Sequence, residues 1–497
     1  MSLRERIRNR AIRRRLSSPE RAASLIKRGM TVAVGGYTQA GYPKVVPMAL
    51  ARHAREEPGL NLTLISGASV GPEIDSALAQ AGVISRRLPL QADPVVRRQA
   101  NEGSLRYIDL RLGRFPTMVR AGWLGQVDVA IVEALAVTAQ GFLVPTTSVG
   151  ATPALLSKAQ AIIVEINLAQ PLALEGLHDV YLEAYPPDGS PVPARGVLDR
   201  LGKPWIEVDP ERILAVVESQ VPDPDPAFPE PGEDPRAMAA AFGAFLREEA
   251  ARGRLPDPLP PLQPGLGTLA NGLMAGLSES LPGPLSLFSG VLQEGGARLL
   301  VSGKAREAST GALLVSPATL RGLLECPRCR QSLIIRSSDV SNNPEVIRRL
   351  GILATNTAIE VDIYGHVNVS HILGTQVVSG IGGGAEFARE GLVSAFFLRS
   401  SSQKGQVSGV VPMASHVDHT EHDVDVIVTE QGLADLRGLD PRERAAAIIE
   451  NCAHPGFRPG LLEYLEEAGR EGGHEPHLLD RALSWHARLK DTGSMKT

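Results

Sequence analysis

The chain has 497 residues, 43% hydrophobic and 21% charged, enough for about two to four domains with a full core. A formal net charge of −4 argues against nucleic acid as the main partner, and no apolar run reaches the roughly 18 residues that cross a membrane. Three cysteines supply no disulfide framework, which fits a reducing, cytoplasmic setting. The start, MSLRERIRNRAIRRRL, reads as an exposed basic helix, with an Arg-rich transit peptide as the alternative. Ser18-Pro19-Glu20 then predicts a helix start: an N-cap serine, a proline in the first turn and an acid. That helix stops near Gly29, and a strand over 30–34 meets Gly35-Gly36-Tyr37. The rhythm recurs at 62–65 before Ser66-Gly67-Ala68-Ser69-Val70-Gly71, at 127–132 before Glu133, and at 161–166 before Asn167. Helix, buried-type strand and small-residue turn in repetition predict an α/β chain with mainly parallel sheets, whose ligands collect at the carboxyl ends of the strands.

Six prolines between 222 and 236 exclude regular structure there. They predict a linker over 222–236, between an N-terminal domain over 1–221 and a C-terminal domain over 237–497. Beyond it, Asp234-Pro235 opens a helix over 236–251, and GLGTLANG (265–272) is a glycine turn entering another. Strands are predicted at 285–292, 312–315, 333–336, 358–363, 407–411 and 424–429.

Glycine is densest in GTQVVSGIGGGAEFAR (374–389), where Gly380, Gly382, Gly383 and Gly384 precede a helix-like run. Such a turn can aim backbone N–H groups at an anion. Gly380, Gly382 and Ala385 also fit a dinucleotide fingerprint, a weak match beside the plain reading of a tight strand-to-helix turn. Cys326-Pro327-Arg328-Cys329 has no second cysteine pair to complete a zinc ribbon, so no metal is expected there and a chance pair at a helix end is the better reading. His416, Asp418, His419, Glu421, His422 and Asp423 crowd one short run, but their spacing matches no established cage and predicts a polar turn. No GxSxG is present, and no cysteine sits in a catalytic context, which excludes the usual hydrolase triad.

Longer strings carry a resemblance. GMTVAVGGYTQAGYPKVVP (29–47), GASVG (67–71), PTTSVG (145–150), LEGLHDVY (174–181), SNNPEVIRRLG (341–351), IEVDIYGHVN (359–368), GIGGGAEFAR (380–389) and VPMASHVDHTEHDVDVIVTEQGLADLRGL (411–439) resemble the acetyl-CoA hydrolase/transferase family, in its succinyl-CoA:acetate CoA-transferase branch. The resemblance spans about residues 18 to 468. It implies two α/β domains of the CoA-transferase type (the NagB/RpiA/CoA-transferase-like fold), an active site between them and a homodimer. It also implies acyl-CoA and a small carboxylic acid such as acetate as substrates, with coenzyme A passing through rather than permanently bound. In that chemistry a glutamate carboxylate attacks the thioester to form a mixed anhydride. The released thiolate then takes the glutamyl carbonyl as a glutamyl-CoA thioester, and an incoming acid reverses the steps. Fixed donors are needed for the tetrahedral oxyanions, and the CoA tail supplies binding energy at a distance.

Carried over position by position, the resemblance implies that Gly265, Leu266, Gly267, Thr268 and Leu269 form the CoA-binding turn. It makes Gly383 the oxyanion glycine and CoA contact, Ile359 and Lys404 further CoA contacts, and Asn342 an active-site oxyanion donor. Ser379 stands where close relatives have asparagine. The sharpest departure is the nucleophile. The family's Thr-Glu-Val-Ile-Gln-Asp-Gly is here Ser289-Gly290-Val291-Leu292-Gln293-Glu294-Gly295, so Gly290 occupies the catalytic glutamate position. Glu294, four residues along the same predicted strand, would lie about 13 Å away. A second departure is Leu112-Gly113-Arg114-Phe115-Pro116, where relatives carry a His-Leu-Ser-type run. Three readings follow: a family enzyme with its activity in question, a non-catalytic acyl-CoA-binding paralogue, and a thioesterase using water with the Gly383 and Asn342 donors.

Overall fold

The run VDVAIV becomes the core of an eight-residue strand, Val127–Ala134, in which every residue except Asp128 is buried. A strand apolar on both faces belongs inside a parallel sheet covered by helices. With β1 (Thr31–Val34), β2 (Leu62–Ser66), β3 (Ile84–Leu88), β4 (Arg106–Tyr107), this strand as β5, β6 (Ala159–Asn167) and β7 (Ile213–Ser219), it forms a seven-stranded sheet ordered β7-β6-β5-β1-β2-β3-β4. Every pairing is parallel. Side chains divide between the two faces with the strand period of two. Val32, Val34, Leu62, Leu64, Val129 and Ile131 join one apolar cluster, and Ala33, Ile65, Ala130 and Val132 the other.

This computed structural model describes residues 2–185, 187, 189–226 and 232–496. Residues 227–231, the middle of the predicted linker, lie outside the described residues. The chain forms two compact units. The first takes in residues 1–227 together with 287–302 and 306–350, and the second 228–286, 303–305 and 351–497. In the first unit the motif PTTSVG holds the later segment. Val149 N–H donates to Gly311 O (3.0 Å), Leu313 N–H to Thr147 O (2.9 Å), and Ser338 N–H to Gly150 O (2.9 Å). Ala308, Ser309 and Thr310 pair in parallel with Leu333, Ile334 and Ile335.

The second unit has its own sheet, in the order Gly432–Asp435, Val426–Thr429, Val393–Phe397, Leu353–Thr357, Leu262–Pro264. Only the hairpin at the first end is antiparallel. Helices Glu233–Ala251, Thr268–Ser280 and Pro441–Cys452 belong to this unit. The helix predicted from residue 236 begins three residues earlier, with acidic Glu233 and Asp234 in its first turn, where they favour the positive end of the helix dipole.

Three expectations are corrected. The N-terminal segment forms two short helices, Leu3–Arg6 and Arg10–Arg13, with Arg4, Arg8, Arg10 and Arg14 exposed, but Arg6 is buried, and its guanidinium donates to the carbonyls of Asn167 (2.8 Å) and Gln170 (3.0 Å) and to those of Leu135 and Leu168. The predicted strand over 285–292 stops at Ser289, because the chain bends at Gly290 and a helix, Glu294–Ser302, starts at the supposed far end of the strand. Cys326 and Cys329 are joined as a disulfide, with Cys326 also capping the short helix Pro327–Gln331.

Candidate active site

In the second unit the 265–269 turn and Ile359 lie beyond the carboxyl ends of the neighbouring parallel strands Leu262–Pro264 and Leu353–Thr357, where such sheets bind ligands. Gly265 directly follows Leu262–Pro264, and Thr268 begins the 13-residue helix Thr268–Ser280. Gly267 caps that helix with φ of +100°, a conformation that side chains resist, and nothing stands within 4 Å of where its Cβ would be. Gly265 is needed for packing instead: a Cβ there would lie 2.6 Å from Thr355 O. Leu266 is exposed, and Leu269 is half-buried in the first turn of the helix.

Asn356, which the sequence reading passed over, ties the second loop to this turn. It lies at the end of Leu353–Thr357, its Cα 3.6 Å from the Cβ position of Gly265, and its amide donates to Gly384 O (3.3 Å). The 265–269 turn and the 380–384 loop therefore meet at one asparagine. Gly383 caps helix Gly384–Glu390 with ordinary helical φ of −92°, and Ser379 Oγ donates to the neighbouring carbonyl of Gly380 (3.4 Å). The dinucleotide fingerprint lacks its context, since the strand before this loop, Gln376–Val377, belongs to an antiparallel hairpin with His371–Ile372. Ile359 is half-exposed beyond the next strand end. Lys404 sits exposed in a left-handed turn (φ 57°) between short strands Ser401–Ser402 and Val407–Ser408.

In the first unit Gly290 and Asn342 are brought together. A Cβ at 290 would lie 3.1 Å from Asn342 Oδ1 and 3.2 Å from Nδ2. Asn342 is fully buried, and Ser341 Oγ donates to its Oδ1 (2.9 Å). Gly311 N–H donates to Gly290 O (3.0 Å), so the PTTSVG segment that holds Gly311 also fixes the bend at 290. Val291, the next residue, packs with Tyr37, Leu90 and Leu112, which brings the divergent run at 112–116 beside the bend. Glu294 is occupied elsewhere. It accepts from Ser316 N (2.8 Å), Thr319 Oγ1 (2.5 Å) and Arg298 Nε (2.8 Å). Burial works against its charge, yet those hydrogen bonds hold its carboxyl below the usual range. A cavity of about 440 Å³ in this unit, with Thr147, Gln170, Asp223 and Arg321 on its wall, includes neither Gly290 nor Asn342 in its lining.

The run at 416–423 is a polar turn tied by hydrogen bonds to the 367–370 segment. Asp418 accepts from Val369 N (2.7 Å) and Ser370 Oγ, and His419 is buried against Phe396.

Mainly parallel sheets covered by helices, with a glycine turn at one strand end and a second glycine loop beside it, define an α/β protein of the CoA-transferase type. The crystal structure of RipA from Yersinia pestis shares the fold, with a TM-score of 0.74 at 20% identity over 94% of this chain and 99% of that one. Residues 1–218 match the acetyl-CoA hydrolase/transferase N-terminal domain and residues 321–465 the C-terminal domain. Succinyl-CoA:acetate CoA-transferase of Clostridium kluyveri is 42% identical, covering 99% of this chain and 92% of its own. Acetyl-CoA hydrolase of Schizosaccharomyces pombe is 38% identical, covering 99% and 98%. The chain belongs to the acetyl-CoA hydrolase/transferase family.

Proposed function

We propose that the chain binds acyl-CoA through the turn at Gly265, Leu266, Gly267, Thr268 and Leu269, with Ile359, Ser379, Gly383 and Lys404, and that it has lost the covalent route of its relatives. The observation that carries this reading is Gly290: the position where the family places its glutamate faces the buried Asn342 amide and offers no carboxylate. Without a nucleophile no mixed anhydride and no enzyme-bound thioester can form, while backbone and amide donors for an oxyanion are kept. Transfer of CoA to a small carboxylate such as acetate is then slow or absent. The protein acts as a binding paralogue, in the cytoplasm and as a homodimer. Among the described residues no helix is long and apolar enough to cross a membrane.

The test is a mass spectrum of the intact chain after acyl-CoA and borohydride, beside calorimetry with CoA. Binding without any trapped glutamyl adduct is expected. A glutamyl-CoA adduct at any residue would restore the enzyme reading, and absence of CoA binding would remove both.

A further inference from the structure

A turn in the second unit gathers three metal-ligating side chains that the reading above leaves unused. His366, Glu421 and Glu475 each offer one atom, and the three atoms lie within 4.8 Å of one another. The imidazole is already fixed. Asp362 Oδ1 closes the turn by accepting from the N–H groups of Tyr364 (3.1 Å), Gly365 (3.0 Å) and His366 (2.9 Å). Asp362 Oδ2 lies 3.1 Å from His366 Nδ1, so that nitrogen donates to the carboxylate and Nε2 points the other way, 2.8 Å from Glu421 Oε2. A carboxylate that orients the far nitrogen is the usual outer support of a metal-binding histidine.

Glu475 is positioned by its neighbours. The Tyr364 hydroxyl donates to Pro476 O, the His477 ring meets Tyr364 edge-on at 5.0 Å, and His477 Nδ1 lies 2.9 Å from the Tyr464 hydroxyl. Three carboxylates therefore surround one imidazole. The nearby Arg444 guanidinium is engaged by the carbonyls of Tyr364 (2.9 Å), Glu421 (2.9 Å) and Val424 (3.2 Å). His366 and Glu421 are 17% and 18% exposed, enough for an ion to enter a shell that is already largely dry.

We propose that His366 Nε2, Glu421 and Glu475 bind one zinc ion, with water as the fourth ligand. One imidazole and two carboxylates suit zinc, whereas magnesium and calcium take oxygen-only shells. The ion displaces the proton between Nε2 and Glu421 to solvent. Those two atoms then part from 2.8 Å to about 3.3 Å, the spacing of tetrahedral ligands at about 2.0–2.1 Å. The site clamps the irregular segment 472–478, between helices Arg458–Glu471 and Ser484–Thr492, onto the 362–366 turn.

The experiment titrates ZnCl₂ into chelator-treated full-length protein by calorimetry, with MgCl₂ as comparison. The background is Cys326→Ser/Cys329→Ser, which removes the cysteine pair as a competing site. One zinc per chain and a zinc-dependent rise in melting temperature are expected, with affinity about 10-fold or more weaker in His366→Asn and in Glu475→Gln. Glu475→Gln is near-isosteric and lies outside regular structure, so it keeps the test valid where His366→Asn perturbs the turn; circular dichroism without zinc verifies its fold. Zinc binding undiminished by Glu475→Gln, or no saturable binding in the parent, overturns the proposal.

Discussion

On the reading proposed above, replacing Gly290 by glutamate supplies the absent carboxylate, and the structure sets what that requires. Gly290 has no left-handed φ, so its backbone accepts a side chain. The new Cβ would stand 3.1–3.2 Å from the Asn342 amide, against 3.4 Å for ordinary contact, so the amide must retreat by about 0.3 Å. Overpacking of this kind costs about 1–3 kcal/mol, and a terminal amide lies at the yielding end of that range. The chemical gain is far larger, because loss of a covalent nucleophile from an otherwise intact site can cost on the order of 10⁶-fold in turnover. Gly290→Glu should therefore show acyl-CoA-dependent transfer to acetate or succinate and a borohydride-trappable glutamyl thioester, while Gly290→Gln, equal in size, should show neither. Wild-type turnover as fast as that of the variant would refute the reasoning. So would an inactive Gly290→Glu that still folds and binds CoA, and then Ser379 and the 112–116 run would be the first residues to revert.

Gly383→Val should fold, since φ of −92° admits a branched residue, yet weaken CoA binding about 10-fold or more by filling space against the ligand; unchanged affinity by calorimetry would remove that loop from the site. Lys44→Met should lower stability by about 3–5 kcal/mol in urea melts, because the Lys44 ammonium is bonded to buried Glu133 (2.8 Å) and to Asp223 (2.9 Å); a loss below about 1 kcal/mol would show that the pair is not ionised. His178 is fully buried, and burial pushes its imidazole down to about 4 from 6.5. The unfolded chain then binds the extra proton first, so this contribution is complete above about pH 6.5 and lost as pH falls toward 4, by about 3 kcal/mol in all. His178→Gln should flatten that part of the stability–pH curve, and an unchanged slope would place the proton uptake elsewhere.

The strands legible in the sequence were those whose apolar run was uninterrupted, such as β5 and β6. β3 reads ISRRL and was passed over because Arg87 looks like a surface residue; it is fully buried, with its guanidinium on Asp75 (2.8 Å). LATNT, the strand Leu353–Thr357, was missed for the same reason: its threonines and Asn356 are polar, and its meaning lies in contacts with chain about 90 residues away, Thr355 Oγ1 donating to Gln263 O (2.8 Å). The 265–269 and 380–384 turns were visible as glycine clusters, but the asparagine joining them was not, since a lone polar residue after a strand carries no local signal. At Gly290 the sequence predicted an unbroken strand, while the bend there comes from tertiary hydrogen bonding through Gly311.

The anchoring of Arg6 bears on how the polypeptide tolerates proteolytic maturation. Cleavage after residue 16, as for an import leader, would remove the one guanidinium that serves four carbonyls at and just beyond the ends of β5 and β6. A buried acceptor stripped of its donor costs about 1–3 kcal/mol, a sizeable share of the stability of many domains. Arg6 thus secures the carboxyl ends of β5 and β6, and a tag or trimmed start that displaces it should yield protein that melts early.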